Sequence, residues 1–170
     1  RVKASGAKVS KGKLRQLIPI YQERSVDRSL LVEGQRNLLE YFQSQGYFDA
    51  SVDFSQERSN KDEESIEYEI ERNERHKLVA IDITGNRYFN RDTIRERMYL
   101  MPATFLRFPR GRYSQRYLER DRNAVEDLYR SNGFRDVRVS AGVQDDYQGR
   151  KGAIGVAMKV EEGPQYLVSK

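Results

Sequence analysis

The sequence predicts an α+β protein built as two tandem β-α-α-β-β repeats, each a three-stranded sheet covered on one face by two helices. Three observations carry that expectation. The stretch YFQSQGYFDASV at residues 41–52 returns as LYRSNGFRDVRV at residues 128–139, with two bulky apolar residues, a polar trio, Gly, an aromatic and Asp in the same places. In both copies the apolar spacing changes at the glycine, from the period of a helix to the period of a strand. Upstream of each echo stands a shorter strand-and-helix pattern.

The first predicted repeat covers residues 1–76. Val2 and Ala4 open it as a short strand, followed by Gly6 and by a helix that starts after Ser10 and carries Leu14, Leu17 and Ile18. A long helix then places Leu31, Leu38, Tyr41 and Phe42 on one face, with Ser25 or Asp27 as its N-cap. Gly46 ends it, since a residue without Cβ turns left-handed without steric cost. The strand Tyr47, Ala50, Val52, Phe54 follows, then polar residues 57–64, then the alternation Ile66, Tyr68, Ile70, which completes a hairpin.

The second predicted repeat covers residues 77–168. Val79, Ile81 and Ile83 alternate up to the turn signal Gly85-Asn86, and Asn90 caps a short helix carrying Ile94, Arg97 and Met98. Ser114 caps the long helix, whose apolar face is Leu118, Val125, Leu128 and Tyr129 and whose end is Gly133. Phe134, Val137, Val139 and Ala141 pair through a turn at residues 144–152 with Ile154, Val156, Met158 and Val160. Extra residues, LRFPRGRY at 106–113, expand the connection between the two helices.

Composition excludes several function classes. Charged residues make up 34%, yet 7 Phe, 11 Tyr and regular aliphatic spacing are those of a folded chain. The absence of cysteine removes disulfides, thiolate metal sites and cysteine nucleophiles. No run approaches the length of a membrane-spanning helix. The net charge of +5 resides entirely in the second half: residues 1–77 hold 14 basic and 14 acidic side chains, residues 78–170 hold 17 and 12. The start at Arg1 and the short first strand read as a segment of a longer protein.

Catalysis has little to stand on. His76 is the single histidine, without a nucleophile or second metal ligand nearby in sequence. Glu63-Glu64 and Asp145-Asp146 lie in polar turns, where consecutive carboxylates are solvated. The expectation is no catalytic residue, no metal and no cofactor.

Three segments of the second copy, Ile81-Asp82-Ile83-Thr84-Gly85-Asn86 with Phe89, Leu128-Tyr129-Arg130-Ser131-Asn132-Gly133-Phe134 and Val160-Glu161-Glu162-Gly163-Pro164, resemble the polypeptide-transport-associated repeat, POTRA, of the bacterial outer-membrane β-barrel assembly protein and surface antigen family. The first copy departs from the pattern, with Ala7 after Gly6 and with Asn73-Glu74-Arg75 in place of the E-G-P closure. The resemblance implies a periplasmic scaffold in a didermic bacterium, not an enzyme. The resemblance further implies that such a scaffold receives unfolded outer-membrane β-barrel polypeptides, docks accessory lipoproteins, and precedes a C-terminal membrane β-barrel of the same chain.

In the strand order of that family the first hairpin strand lies at a sheet edge, where unpaired backbone N–H and C=O groups can take up an extended client. The candidate binding edge is Val137, Arg138, Val139, Ser140, Ala141 and Val143, with Ser51, Val52, Asp53 and Phe54 as a secondary edge. The basic insertion, Arg107, Phe108, Arg110 and Arg112, is a candidate contact for a partner or for lipid. Arg75, His76 and Lys77 form the expected joint between repeats. The rival reading is a nucleic-acid-binding module of KH-like topology, which requires a G-x-x-G clamp between its helices. The basic match, Gly149-Arg150-Lys151-Gly152, falls in a predicted hairpin turn, so nucleic acid is not an expected partner.

Overall fold

A computed structural model describes residues 1–23, 26–58 and 63–167. The chain divides into two compact units, Arg1–Arg75 and His76–Lys170. The first contains β1 (Val2–Ser5), α1 (Lys11–Leu17), α2 (Ile20–Glu23), α3 (Arg28–Ser44), β2 (Ser51–Arg58) and β3 (Glu64–Glu71). The second contains β4 (Lys77–Thr84), α4 (Arg91–Arg95), α5 (Gln115–Arg130), β5 (Arg138–Gln144) and β6 (Ala153–Glu161). Each unit is a three-stranded sheet with helices, as the periodicity predicts, and the single turn of α2 is an addition to the expected pattern.

The two sheets share one topology. The order is β1-β3-β2 in the first and β4-β6-β5 in the second, with the outer strand β1 or β4 parallel to the centre and β2 or β5 antiparallel to it. The central strands carry the core. Ile66, Tyr68 and Ile70 of β3 pack with Leu31, Leu38 and Phe42 of α3, and all are buried. Ile154, Val156, Met158 and Val160 of β6 are buried in the second unit, where Leu118, Val125 and Tyr129 are the buried apolar residues of α5. Each such aliphatic side chain removed from water contributes about 1.5–3 kcal/mol before chain entropy is subtracted.

The helix ends follow the sequence signals. Ser10, Asp27, Asn90 and Ser114 each accept a first-turn backbone N–H, from Lys13, Ser29, Thr93 and Tyr117. The alternative cap, Ser25, lies outside the described residues, as do residues 59–62 of the first hairpin turn. The echoed glycines close their helices identically. Gly46 and Gly133 have φ of 94° and 91°. Gly46 donates to Gln43 while Tyr47 donates to Phe42, and Gly133 donates to Arg130 while Phe134 donates to Tyr129.

Two expectations on strand extent are corrected. Tyr47, Ala50, Phe134 and Val137 precede their strands, because each chain makes a further turn after the glycine, Ala50 donating to Tyr47 and Val137 to Phe134. On β4 the buried residues are Leu78 and Ile81 instead of the alternation Val79, Ile81, Ile83. A register shift between Leu78 and Ala80 against β6 inserts one residue and reverses the facing order there. The short helix α4 also ends before Arg97 and Met98, which lie in the turn that follows it.

Candidate functional site

The three separated motifs of the second unit converge on one carboxylate. Glu162, just past β6, accepts the backbone N–H groups of Arg87 and Tyr88 at 2.6 and 2.7 Å and the hydroxyl of Tyr129 at 3.0 Å. Phe89 and Phe134 close edge-on around the buried Tyr129 ring, with centroids 5.0 and 5.4 Å away. Burial and the adjacent Glu162 carboxylate together push the Tyr129 hydroxyl pKa upward. Gly85 belongs to the same corner, with φ of 80°, and a Cβ there would lie 2.0 Å from the Val160 carbonyl oxygen. The resemblance motif is thus a physical knot that fixes one end of β4, α5 and β6.

That knot leaves β5 as an outer strand. Its residues Arg138, Ser140 and Gly142 stand opposite Glu161, Lys159 and Ala157 of β6. In an antiparallel ladder, successive residues direct their backbone groups alternately toward the partner and away from it. Val139 donates its N–H to the Glu126 carboxylate of α5 at 3.1 Å, so it belongs to the outward-facing set, and alternation places Ala141 and Val143 in the same set. Glu126 is itself held by Arg130 at 2.9 Å. Among the described residues, no backbone bond from another element reaches Ala141 or Val143 on that side. Val137 lies one residue before the strand and is buried, which shortens the exposed border to its second half.

The first unit repeats the arrangement with different chemistry. β2 is an outer strand that includes Ser51, Val52, Asp53 and Phe54. The outward carbonyl of Val52 accepts the Gln35 side-chain amide of α3. In both units, therefore, the long helix covers the outward backbone group at the start of the edge strand and leaves the remainder. Sequence reasoning missed Gln35 and Glu126, since neither stands in a motif.

The opposite border of the second sheet is covered at Leu78 by the expanded connection. Leu78 of β4 donates to the Arg110 carbonyl and accepts from the Ala103 N–H, at 2.9 and 2.7 Å. The connection folds back on itself through bridges between Met101 and Arg112 and between Thr104 and Phe108. Its base is anchored by Asp121, a fully buried carboxylate on the apolar face of α5 that accepts the N–H groups of Tyr99 and Leu100, the latter at 2.7 Å. An acid between Leu118 and Val125 on a buried stripe was the available signal for this anchor. Arg112 donates to the Tyr99 carbonyl and stacks 3.6 Å from the Tyr99 ring centroid, while Arg107 lies over Phe108.

The remaining candidates fall at the joint and in the hairpin turns. Arg75 donates to the Gln45 carbonyl and lies over the Tyr47 ring, and Lys77 opens β4, with His76 between them. Glu64 pairs with Arg58 at 3.6 Å across the hairpin. Asp146 accepts the Gly152 N–H, so Gly149-Arg150-Lys151-Gly152 shapes the β5–β6 turn and does not lie between helices. Among the described residues, no group of three or more His, Cys, Asp and Glu side chains could hold a metal ion, and no helix is long and apolar enough to cross a membrane.

A POTRA family model, described as surface antigen variable number repeat, matches residues 1–73 and again 77–163. The chain belongs to the POTRA family. Its fold is similar to that of BamA POTRA domains 3–5 from Haemophilus influenzae, at 17% identity over 95% of this chain and 60% of that one, with a TM-score of 0.53. It is similar as well to BamA from Haemophilus ducreyi lacking POTRA domains 1–3, at 16% identity over 95% of this chain and 28% of that one, with a TM-score of 0.61. The chain thus spans less than two thirds of either structure, and the likeness is one of fold.

With the family established, the departures of the first POTRA repeat have a physical explanation. The positions of Tyr129 and Glu162 are taken there by Phe42 and Arg72. The hydroxyl and its acceptor disappear together, and Arg72 instead lies over the Tyr47 ring, 5.2 Å from its centroid. Asn73 takes the place of Gly163, and both hold the left-handed conformation, with φ of 54° and 68°. Gly6 makes the same close approach to a central strand as Gly85, its missing Cβ lying 2.1 Å from the Ile70 carbonyl oxygen.

Proposed function

We propose that these two POTRA repeats form part of the periplasmic arm of an outer-membrane protein assembly or secretion factor. In this reading the arm receives unfolded outer-membrane β-barrel polypeptides by β-augmentation, docks accessory lipoproteins, and works with a C-terminal membrane β-barrel of the same chain. The names of the similar BamA structures and the family match support the scaffold class. The observation that carries the binding mode is the outward border of β5 at Ala141 and Val143, beyond the Glu126 cap on Val139. Main-chain pairing there is indifferent to client side chains, which suits a receptor for many clients. The outer strand β2, with Phe54 beyond the Gln35 cap, is the secondary edge.

The test is a titration of the protein with peptides copied from outer-membrane β-strands, followed through backbone amide shifts. Shifts concentrated at Ala141 and Val143, with weaker ones along β2, are expected. Shifts confined to helices, or none at saturating peptide, overturn the edge-pairing mode. A parallel titration with RNA is expected to leave the amides of residues 149–152 unmoved.

A further inference from the structure

The expanded connection of the second repeat projects two apolar side chains into water. Phe105 and Leu106 are 94% and 90% exposed, the most exposed of the large hydrophobic residues among those described. Their support is well tied. The Thr104–Phe108 bridge closes the chain directly behind them, Gly111 donates to Phe108, and the Asp121 and Arg112 contacts hold the base. Pro102 and Pro109 flank the excursion and reduce the chain freedom lost on fixing it. An apolar tip on a fixed stalk is a feature kept for contact, since a floppy loop would fold such side chains back onto the protein.

The surrounding charge selects the contact. From Arg97 to Arg116 the sequence holds five arginines, at 97, 107, 110, 112 and 116, and no Asp or Glu. Arg107, beside the tip, is exposed. Adjacent aromatic and aliphatic side chains with arginines behind them match an interface whose interior is apolar and whose surface is anionic. We propose that Phe105 and Leu106 insert into the headgroup boundary of an anionic bilayer, with Arg107 and Arg110 against its phosphates. This contact uses a different element from the β5 edge, so peptide-induced shifts at Ala141 and Val143 report on client binding independently.

The chain has no tryptophan, so Phe105→Trp places a single reporter at the tip. Vesicles of phosphatidylglycerol and phosphatidylcholine are expected to shift its emission to the blue, and lipids brominated on the acyl chains are expected to quench it. Replacing Arg107 and Arg110 by Ala in that background should weaken partitioning about 25-fold, taking about fivefold for each cation near an anionic surface. Leu106→Asp should abolish the quenching while circular dichroism stays native. An unshifted Phe105→Trp spectrum with anionic vesicles overturns the proposal, as does partitioning that ignores the two arginine replacements. A blue shift seen with a purified protein partner and not with vesicles assigns the tip to protein docking and overturns the lipid contact.

Discussion

Tyr129 donates its buried hydroxyl to Glu162 at 3.0 Å, which joins the end of the longest helix of the second repeat to the residue that leaves its central strand. The same carboxylate holds the Arg87 and Tyr88 N–H groups, so one side chain satisfies donors from two other segments. Glu162→Ala is expected to destabilise the second repeat by about 2–3 kcal/mol, since hydrogen bonds to a charged acceptor contribute more than neutral ones. Glu162→Gln retains a carbonyl acceptor and should lose about half of that. Amide hydrogen exchange reads the effect locally, with protection at Arg87 and Tyr88 falling first.

Gly34 of α3 and Tyr68 of β3 form a fitted pair in the first repeat. A Cβ on Gly34 would lie 2.6 Å from the Tyr68 hydroxyl oxygen, which in turn donates to the Leu31 carbonyl at 3.1 Å. Gly34→Ala is expected to cost about 1–3 kcal/mol by overpacking. Tyr68→Phe alone should cost about 1 kcal/mol for the lost hydrogen bond. The double variant should be less damaged than the sum, because removing the hydroxyl relieves the clash. Denaturant unfolding of the four proteins measures the coupling, and strict additivity would refute the pairing.

Tyr68 also sets an alkaline limit. Burial pushes its pKa from 10.0 up to about 12, so the fold favours the neutral phenol. The resulting contribution to stability is whole below pH 10 and is lost as pH rises through about 12. Tyr129 shifts in the same direction, through burial and Glu162. Tyr68→Phe should therefore reduce, without removing, the stability lost between those pH values, as read by tyrosinate absorbance alongside circular dichroism.

Asp121 has no counterpart in the first repeat, where Gly34 occupies its position. Asp121→Ala would leave the Tyr99 and Leu100 N–H groups without their acceptor, at a cost of about 2–4 kcal/mol for two donors. The Ala103–Leu78 bond should loosen with it, visible as faster exchange of the Ala103 amide.

The alternation along β5 is testable with proline. Val143→Pro removes an outward N–H and should change stability by less than about 1 kcal/mol while abolishing peptide pairing. Gly142→Pro removes a donor facing β6 and should cost about 3 kcal/mol or more. Peptide titration and thermal unfolding of the two variants separate the roles; equal behaviour would refute the register.

The local elements and the repetition are legible in the order of residues alone. Cap residues, the closing glycines and the stripes of α3 and α5 are all encoded within one or two helical turns, where neighbours in sequence are neighbours in space. Sequence-based expectations erred at one local turn and at one pairing with a distant strand. The turn after Gly46 and Gly133 delays each strand, and the bulge near Leu78 reverses which residues face the core. Which backbone groups at the sheet borders stay open depends on long-range contacts. The Arg110 and Ala103 bonds close β4 at Leu78, and Glu126 and Gln35 cap the first outward groups of β5 and β2. Those partners stand 13 or more residues away in the chain, and a backbone group carries no sequence mark of whether a distant side chain will reach it.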